Sequence, residues 1–119
     1  MTAPETGLEA LQARLRAFAD ERDWARFHSP KNLVMALTGE AGELAEQFQW
    51  LTEEESRALT PEQHEAVRRE LADIQIYLLM LADKLGVDLP QAVADKIDEN
   101  EKKYPADRAR GRADKYNKL

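Results

Sequence analysis

Val67, Leu71, Ile74, Leu78, Leu81 and Leu85 recur at intervals of four and three without a break. That spacing traces one face of an α-helix, and Ala72, Ile76 and Leu79 carry apolar surface round to the other side. A helix apolar on nearly all sides has to be covered on several, so this one is expected to be central, buried by a second subunit as well as by its own chain. Its ends are marked. Thr60-Pro61-Glu62-Gln63 supplies an N-cap, a first-position proline and a capping-box glutamine, and Gly86 suits a left-handed stop.

The neighbouring segments must then supply helices with apolar stripes of their own. Leu8, Leu11, Leu15, Phe18 and Ala19 predict a first helix from Leu8 to about Arg22. Ser29-Pro30 opens a second, expected to run to about Leu51 with the stripe Leu33, Leu37, Glu40, Leu44 and Leu51. An acidic connector at 52–59 precedes the central helix, and Asp88-Leu89-Pro90 begins a last one ending near Lys103, before Tyr104-Pro105. No alternating Val/Ile/Thr-rich run bounded by turns suggests a strand. The expected fold is all-α, a bundle of four main helices over residues 8–105. Residues 1–7 read as a flexible lead, and 106–119 as a basic tail with Tyr116 as its apolar anchor.

Composition bounds the function. With 119 residues and 43% hydrophobic content the chain is one domain's worth with a genuine core. A net charge of -6 argues against nucleic-acid polymers and anionic membranes as partners, although Lys102 to Leu119 holds seven basic residues against two acidic. There is no cysteine, hence neither a disulfide framework nor a thiolate ligand. Neither a leader nor an apolar run long enough to span a bilayer is evident, so a soluble, cytoplasmic protein is expected.

Two acidic pairs interrupt this pattern. Glu40 and Glu43, then Glu70 and Asp73, each stand three residues apart on a predicted helix, so each pair projects from one side. Glu40 takes a core-facing place between Leu37 and Leu44, and Gly39 and Gly42 flank it, each costing roughly 1 kcal/mol of helix propensity, as if something approached closely. Any single pair is compatible with a solvated helix face. Two pairs on the helices with the strongest cores point to a cation, because clustered carboxylates repel unless protonated or neutralised. All-oxygen ligands suit Mg²⁺, with Mn²⁺ as a possible substitute. A di-iron bundle would need Glu-x-x-His pairs, and Ala25 and Pro61 stand three residues before His28 and His64.

Lys96, Asn100 and Lys103 share a face of the last helix, which is either a salt-bridged surface or two cations and an amide for a polyphosphate. Trp24, Phe27, His28, Trp50 and Tyr77 gather at helix ends and one turn past Asp73. They are either core rim or an aromatic slot for a nucleobase.

These stretches together resemble a known family. Phe18-Ala19-x-Glu21-Arg22-Asp23-Trp24-x-x-Phe27-His28-x-Pro30, Glu40-x-x-Glu43, Phe48-Gln49-Trp50, Glu70-x-x-Asp73-x-x-x-Tyr77 and Lys96-x-x-x-Asn100-x-x-Lys103-Tyr104-Pro105 are similar to the MazG-like all-α nucleotide pyrophosphohydrolases, in the dCTP pyrophosphatase branch. The resemblance implies that Glu40, Glu43, Glu70 and Asp73 bind Mg²⁺ and carry catalysis. It places Trp24, Ala25, Arg26, Phe27, His28, Trp50 and Tyr77 around base and sugar, and Lys96, Asn100 and Lys103 on the phosphates. It implies cleavage between the α and β phosphates of a nucleoside triphosphate, dCTP or a modified dCTP, to the monophosphate and pyrophosphate, in a homo-oligomer that is a tetramer built from dimers. Leu15 departs from the pattern, standing where the animal dCTP enzymes carry a base-pocket histidine. Two other readings accompany this one: a non-catalytic helical module docking an acidic partner through its basic tail, and the same chemistry on a non-cytosine or damaged nucleotide.

Overall fold

A computed structural model describes residues 6–119; the part of the expected flexible lead at 1–5 lies outside the described residues. Six helices follow in order: α1 Leu8–Glu21, α2 Pro30–Phe48, α3 Glu53–Ser56, α4 Pro61–Leu85, α5 Leu89–Lys103 and α6 Ala106–Ala109. Single 3₁₀ turns occur at Ala25–Phe27 and Tyr116–Lys118, and no strand occurs among the described residues. The chain forms two compact units, one ending at Gly86 and one of Val87–Leu119.

Local chemistry explains the helix ends of the first unit. Ser29 caps α2 by accepting from the Asn32 N–H, with Pro30 in the first turn. Thr60 and Gln63 form a reciprocal capping box at the start of α4, and Gly86 closes that helix at φ 66°, a left-handed conformation that costs glycine little. α1 ends at Glu21, and just beyond it Asp23, at φ 53°, turns the backbone so that the Trp24 N–H donates to the Ala19 carbonyl at 2.9 Å. An aspartate tolerates that region better than most side chains.

The central helix packs most extensively along α2 and more briefly against α1. Leu33 of α2, Ala19 of α1 and Leu79 and Ala82 of α4 form the buried centre. The Gln12 side-chain amide donates to the Leu79 carbonyl at 3.0 Å, and Arg16 meets Asp83 at 2.7 Å, tying α1 to α4.

Three expectations are revised. Helix α2 stops at Phe48 rather than near Leu51, with Gln49 and Trp50 in a turn. The acidic connector contains α3, capped by Thr52 and Glu55 in the same box geometry as α4. A Cβ added at Gly39 or Gly42 would meet nothing within 4 Å, so no neighbour in the same protomer presses on these glycines. The chain itself leaves part of the central helix uncovered: Leu71 is 53% and Leu85 57% exposed.

The second unit holds α5, capped by Asp88, and the basic tail. The tail returns to α5: the Tyr116 ring packs edge-on to Tyr104 at 6.3 Å and lies 5.1 Å from the Lys103 ammonium. Arg112 donates to Asp114 and to the Lys118 carbonyl. No described helix is long and apolar enough to cross a membrane.

Candidate active site

Because α2 and α4 lie along one another, the acidic pair of one helix meets that of the other. Glu40, Glu43 and Glu70 each present a carboxylate oxygen, and the three atoms lie within 4.8 Å of one another. Glu40 and Glu70 are half-buried and Glu43 is exposed. Asp73 stays outside this tight group, yet its charge helps raise the pKa of both Glu40 and Glu70.

The electrostatics show what the cluster lacks. One oxygen of Glu40 and one of Glu70 are buried with no hydrogen-bond partner. A hydrogen bond shared with Glu43, then desolvation and the charges of its neighbours, pushes Glu40 up to about 7. Glu70 is raised as well, first by desolvation and then by the charge of Glu43. Orphaned buried oxygens are costly, and adjacent carboxylates cannot all ionise unopposed. A divalent cation relieves both strains at once, and an all-oxygen donor set with an exposed member suits a hard ion that retains water. The residues present fit such an ion.

One turn beyond Asp73 on α4 lies Tyr77, and here a cleft of about 290 Å³ opens between α1, α4 and the 24–28 connection. Trp24, His28 and Tyr77 line it together with Leu15, Phe18, Ile76 and Met80. Phe18 holds Trp24 edge-on at 5.7 Å and is itself covered by the Arg22 guanidinium at 3.7 Å. Apolar walls with a few polar tips are what a planar, hydrogen-bonding ligand requires. A smaller cavity of about 130 Å³ adjoins across Leu15, His28 and Met80 and is bordered by the Arg16–Asp83 pair.

Not every expected residue converges. Ala25 is half-buried in the 3₁₀ turn, while Arg26 lies over the Phe27 ring at 4.9 Å on the outside. Phe27 is 56% and Trp50 86% exposed, and neither lines the cleft. Lys96, Asn100 and Lys103 belong to the second unit, where both lysines pair with Glu99 at 3.3 and 3.1 Å. Sequence reasoning passed over Phe18, Ile76 and Met80 as lining residues. The signal for Met80 was its place three residues after Tyr77, and for Phe18 its distance of six from Trp24 across a helix end.

Comparison with known proteins extends the picture. The MazG-like family matches residues 36–119. The chain is 48% identical over 119 residues to dCTP pyrophosphatase 1 of Mus musculus, covering 98% of this chain and 70% of that protein. The Bos taurus dCTP pyrophosphatase 1 is 50% identical over 117 residues, covering 97% and 69%. The crystal structure of a pyrophosphatase from Archaeoglobus fulgidus superposes with a TM-score of 0.79 at 37% identity, covering 88% of this chain and 98% of that one. On family match, sequence identity and fold alike, the chain belongs to the MazG-like family and is a hydrolase of the nucleotide pyrophosphatase type.

Proposed function

We propose that this chain is a Mg²⁺-dependent nucleoside triphosphate pyrophosphohydrolase that cleaves dCTP or a modified dCTP between the α and β phosphates. The products are the monophosphate and pyrophosphate, and the role is the clearing of unwanted nucleotides from the pool. The observation that carries the reading is the meeting of Glu40, Glu43 and Glu70, with two buried unpartnered oxygens, one helical turn from an aromatic cleft. The names of the mammalian relatives support dCTP as the substrate.

Glu40, Glu70 and Asp73 would hold the cation from two helices, with the exposed Glu43 completing the set. A divalent ion bound there supplies charge neutralisation for the phosphates and makes an attacking water more acidic. Glu43, the exposed member, accepts that water's proton. Trp24 and Tyr77 offer ring faces to the base, and His28 offers a hydrogen-bonding edge. Ala25, Arg26 and Phe27 lie on the 3₁₀ turn beside the cleft rather than in its lining, and would meet the sugar where it projects from the cleft. Lys96, Asn100 and Lys103 donate to the phosphates and offset charge developing on the leaving pyrophosphate.

The reading includes a homo-oligomer, a tetramer as a dimer of dimers, in the cytoplasm. Leu71, Met35 and Trp50 are 53%, 64% and 86% exposed, large apolar side chains that a second copy would cover. Trp50 lies outside the cleft lining of its own chain, and a second copy would bring a nucleotide to it. Leu15 removes a hydrogen-bonding group from the base cleft, so discrimination rests on the polar tips that remain. A panel of natural and modified triphosphates, assayed for pyrophosphate release with Mg²⁺ and again with chelator, tests the reading. The expected result is chelator-sensitive release, highest for a cytosine nucleotide; absence of metal-dependent release across the panel would favour a non-catalytic module.

A further inference from the structure

Glu99 is the one acid on α5 that engages both Lys96 and Lys103. It accepts from Lys96 Nζ through Oε2 at 3.3 Å and from Lys103 Nζ through Oε1 at 3.1 Å. Lys96 and Lys103 are two helical turns apart, and Glu99 lies between them at i+3 from the first and i−4 from the second, the spacings at which helix side chains meet. The Lys103 ammonium is also held 5.1 Å from the Tyr116 ring, so it is fixed from two directions. Both ammonium groups therefore converge on the two oxygens of a single carboxylate. Two cations arranged on a two-oxygen anion are arranged for a phosphate group as well.

We propose that Glu99 is an internal competitor for the polyphosphate site, an anion that occupies the position between Lys96 and Lys103 and that the substrate's phosphates must displace. This rests on the reading that the α5 lysines meet phosphate. Its consequence is selection by charge. A triphosphate carries enough negative charge to take both lysines from one carboxylate, whereas the departing pyrophosphate, with fewer anchors once cleaved from its nucleoside, faces Glu99 returning to its place. Glu99 therefore weakens substrate binding modestly and weakens product binding with it, keeping the site from being held by pyrophosphate. The supporting charge balance is mutual: Lys103 and then Lys96 hold the Glu99 carboxyl below its ordinary pKa, and Glu99 holds Lys103 above its own.

The test is the Glu99→Gln variant of the full chain, with dCTP and Mg²⁺ as substrate and added pyrophosphate as inhibitor. Glutamine keeps shape and helix propensity while removing the charge. Exposed ion pairs are individually weak, so the expected change is a fall in KM of about twofold and a larger fall, about three- to fivefold, in the pyrophosphate inhibition constant. The turnover number should hold or fall where pyrophosphate release limits it. Glu101→Gln removes the same charge from the same helix at a residue in none of its ion pairs, and should shift both constants by less than about 1.5-fold. Unchanged or raised constants in Glu99→Gln, or equal effects of Glu99→Gln and Glu101→Gln, overturn the proposal. Lys96→Ala and Lys103→Ala separate it from the reading beneath: if neither raises KM, α5 does not meet phosphate and both fall. If both raise KM while Glu99→Gln does not lower it, only the competitor role falls.

Discussion

Proton release on metal binding is the sharpest consequence of the acidic cluster. Glu40 protonates at about 7 because it shares a hydrogen bond with Glu43, is desolvated, and faces the charges of Glu43 and Asp73. A cation that binds these oxygens has to displace that proton. At pH 6 roughly a tenth of Glu40 side chains are ionised and at pH 8 roughly nine-tenths, so apparent affinity for Mg²⁺ or Mn²⁺ should rise about tenfold across that interval, about 1.4 kcal/mol. A carboxyl titrating at its ordinary 4.5 would change affinity by only a few per cent over the same range. Glu70, raised by its own desolvation, steepens the dependence in the same direction. Isothermal titration of MnCl₂ into metal-free protein at pH 6, 7 and 8, in two buffers of different ionisation enthalpy, reads both affinity and protons released. About one proton per ion should leave at pH 6 and about a tenth of one at pH 8 from Glu40. Glu40→Gln should bind more weakly with a flatter pH profile. An affinity constant from pH 6 to 8, with no proton released, would refute the coupling of these carboxylates.

The same shift sets the stability of the metal-free protein. The folded state holds a proton on Glu40 up to about pH 7 whereas the unfolded chain loses it near 4.5, so this contribution is complete below 4.5 and lost as pH rises through 7. Calorimetric melting in chelator should find Glu40→Gln more stable than wild type at pH 8 and the two converging towards pH 5; parallel curves would contradict it. Leu79→Ala empties a site only 1% exposed, at the α1–α4 contact where Gln12 also binds its carbonyl. A loss of about 2–5 kcal/mol is expected in urea unfolding, and a loss under about 1 kcal/mol would show that the site collapses or lies outside the core.

Much of the fold was legible because α4 carries its instructions twice, in the four-three repeat and in the Thr60–Gln63 box and Gly86 at its ends. The α3 turn was legible by the same rule, since Thr52 and Glu55 repeat the capping pattern, but three consecutive glutamates masked it as a charged connector. The end of α2 was misjudged because Leu51 continues the apolar period after the backbone has turned at Gln49; period alone does not report where hydrogen bonding stops. The acids could be paired from spacing, and Glu40 stood out as a charge in an apolar stripe. That Glu43 joins Glu40 and Glu70 more tightly than Asp73 does depends on how α2 and α4 lie against each other, which spacing within one helix does not encode. Leu71 and Trp50 are exposed in this chain, and an apolar pattern alone does not distinguish a core face from one left uncovered.

The central claim is that the carboxylate cluster drives hydrolysis between the first two phosphates, and the identity of the phosphorus products tests it most directly. Phosphorus NMR of dCTP incubated with the protein and Mg²⁺ should show dCMP and pyrophosphate appearing in equal amounts, with Glu43→Ala folded but inactive. Formation of dCDP and inorganic phosphate, or near wild-type turnover by Glu43→Ala, would contradict the account.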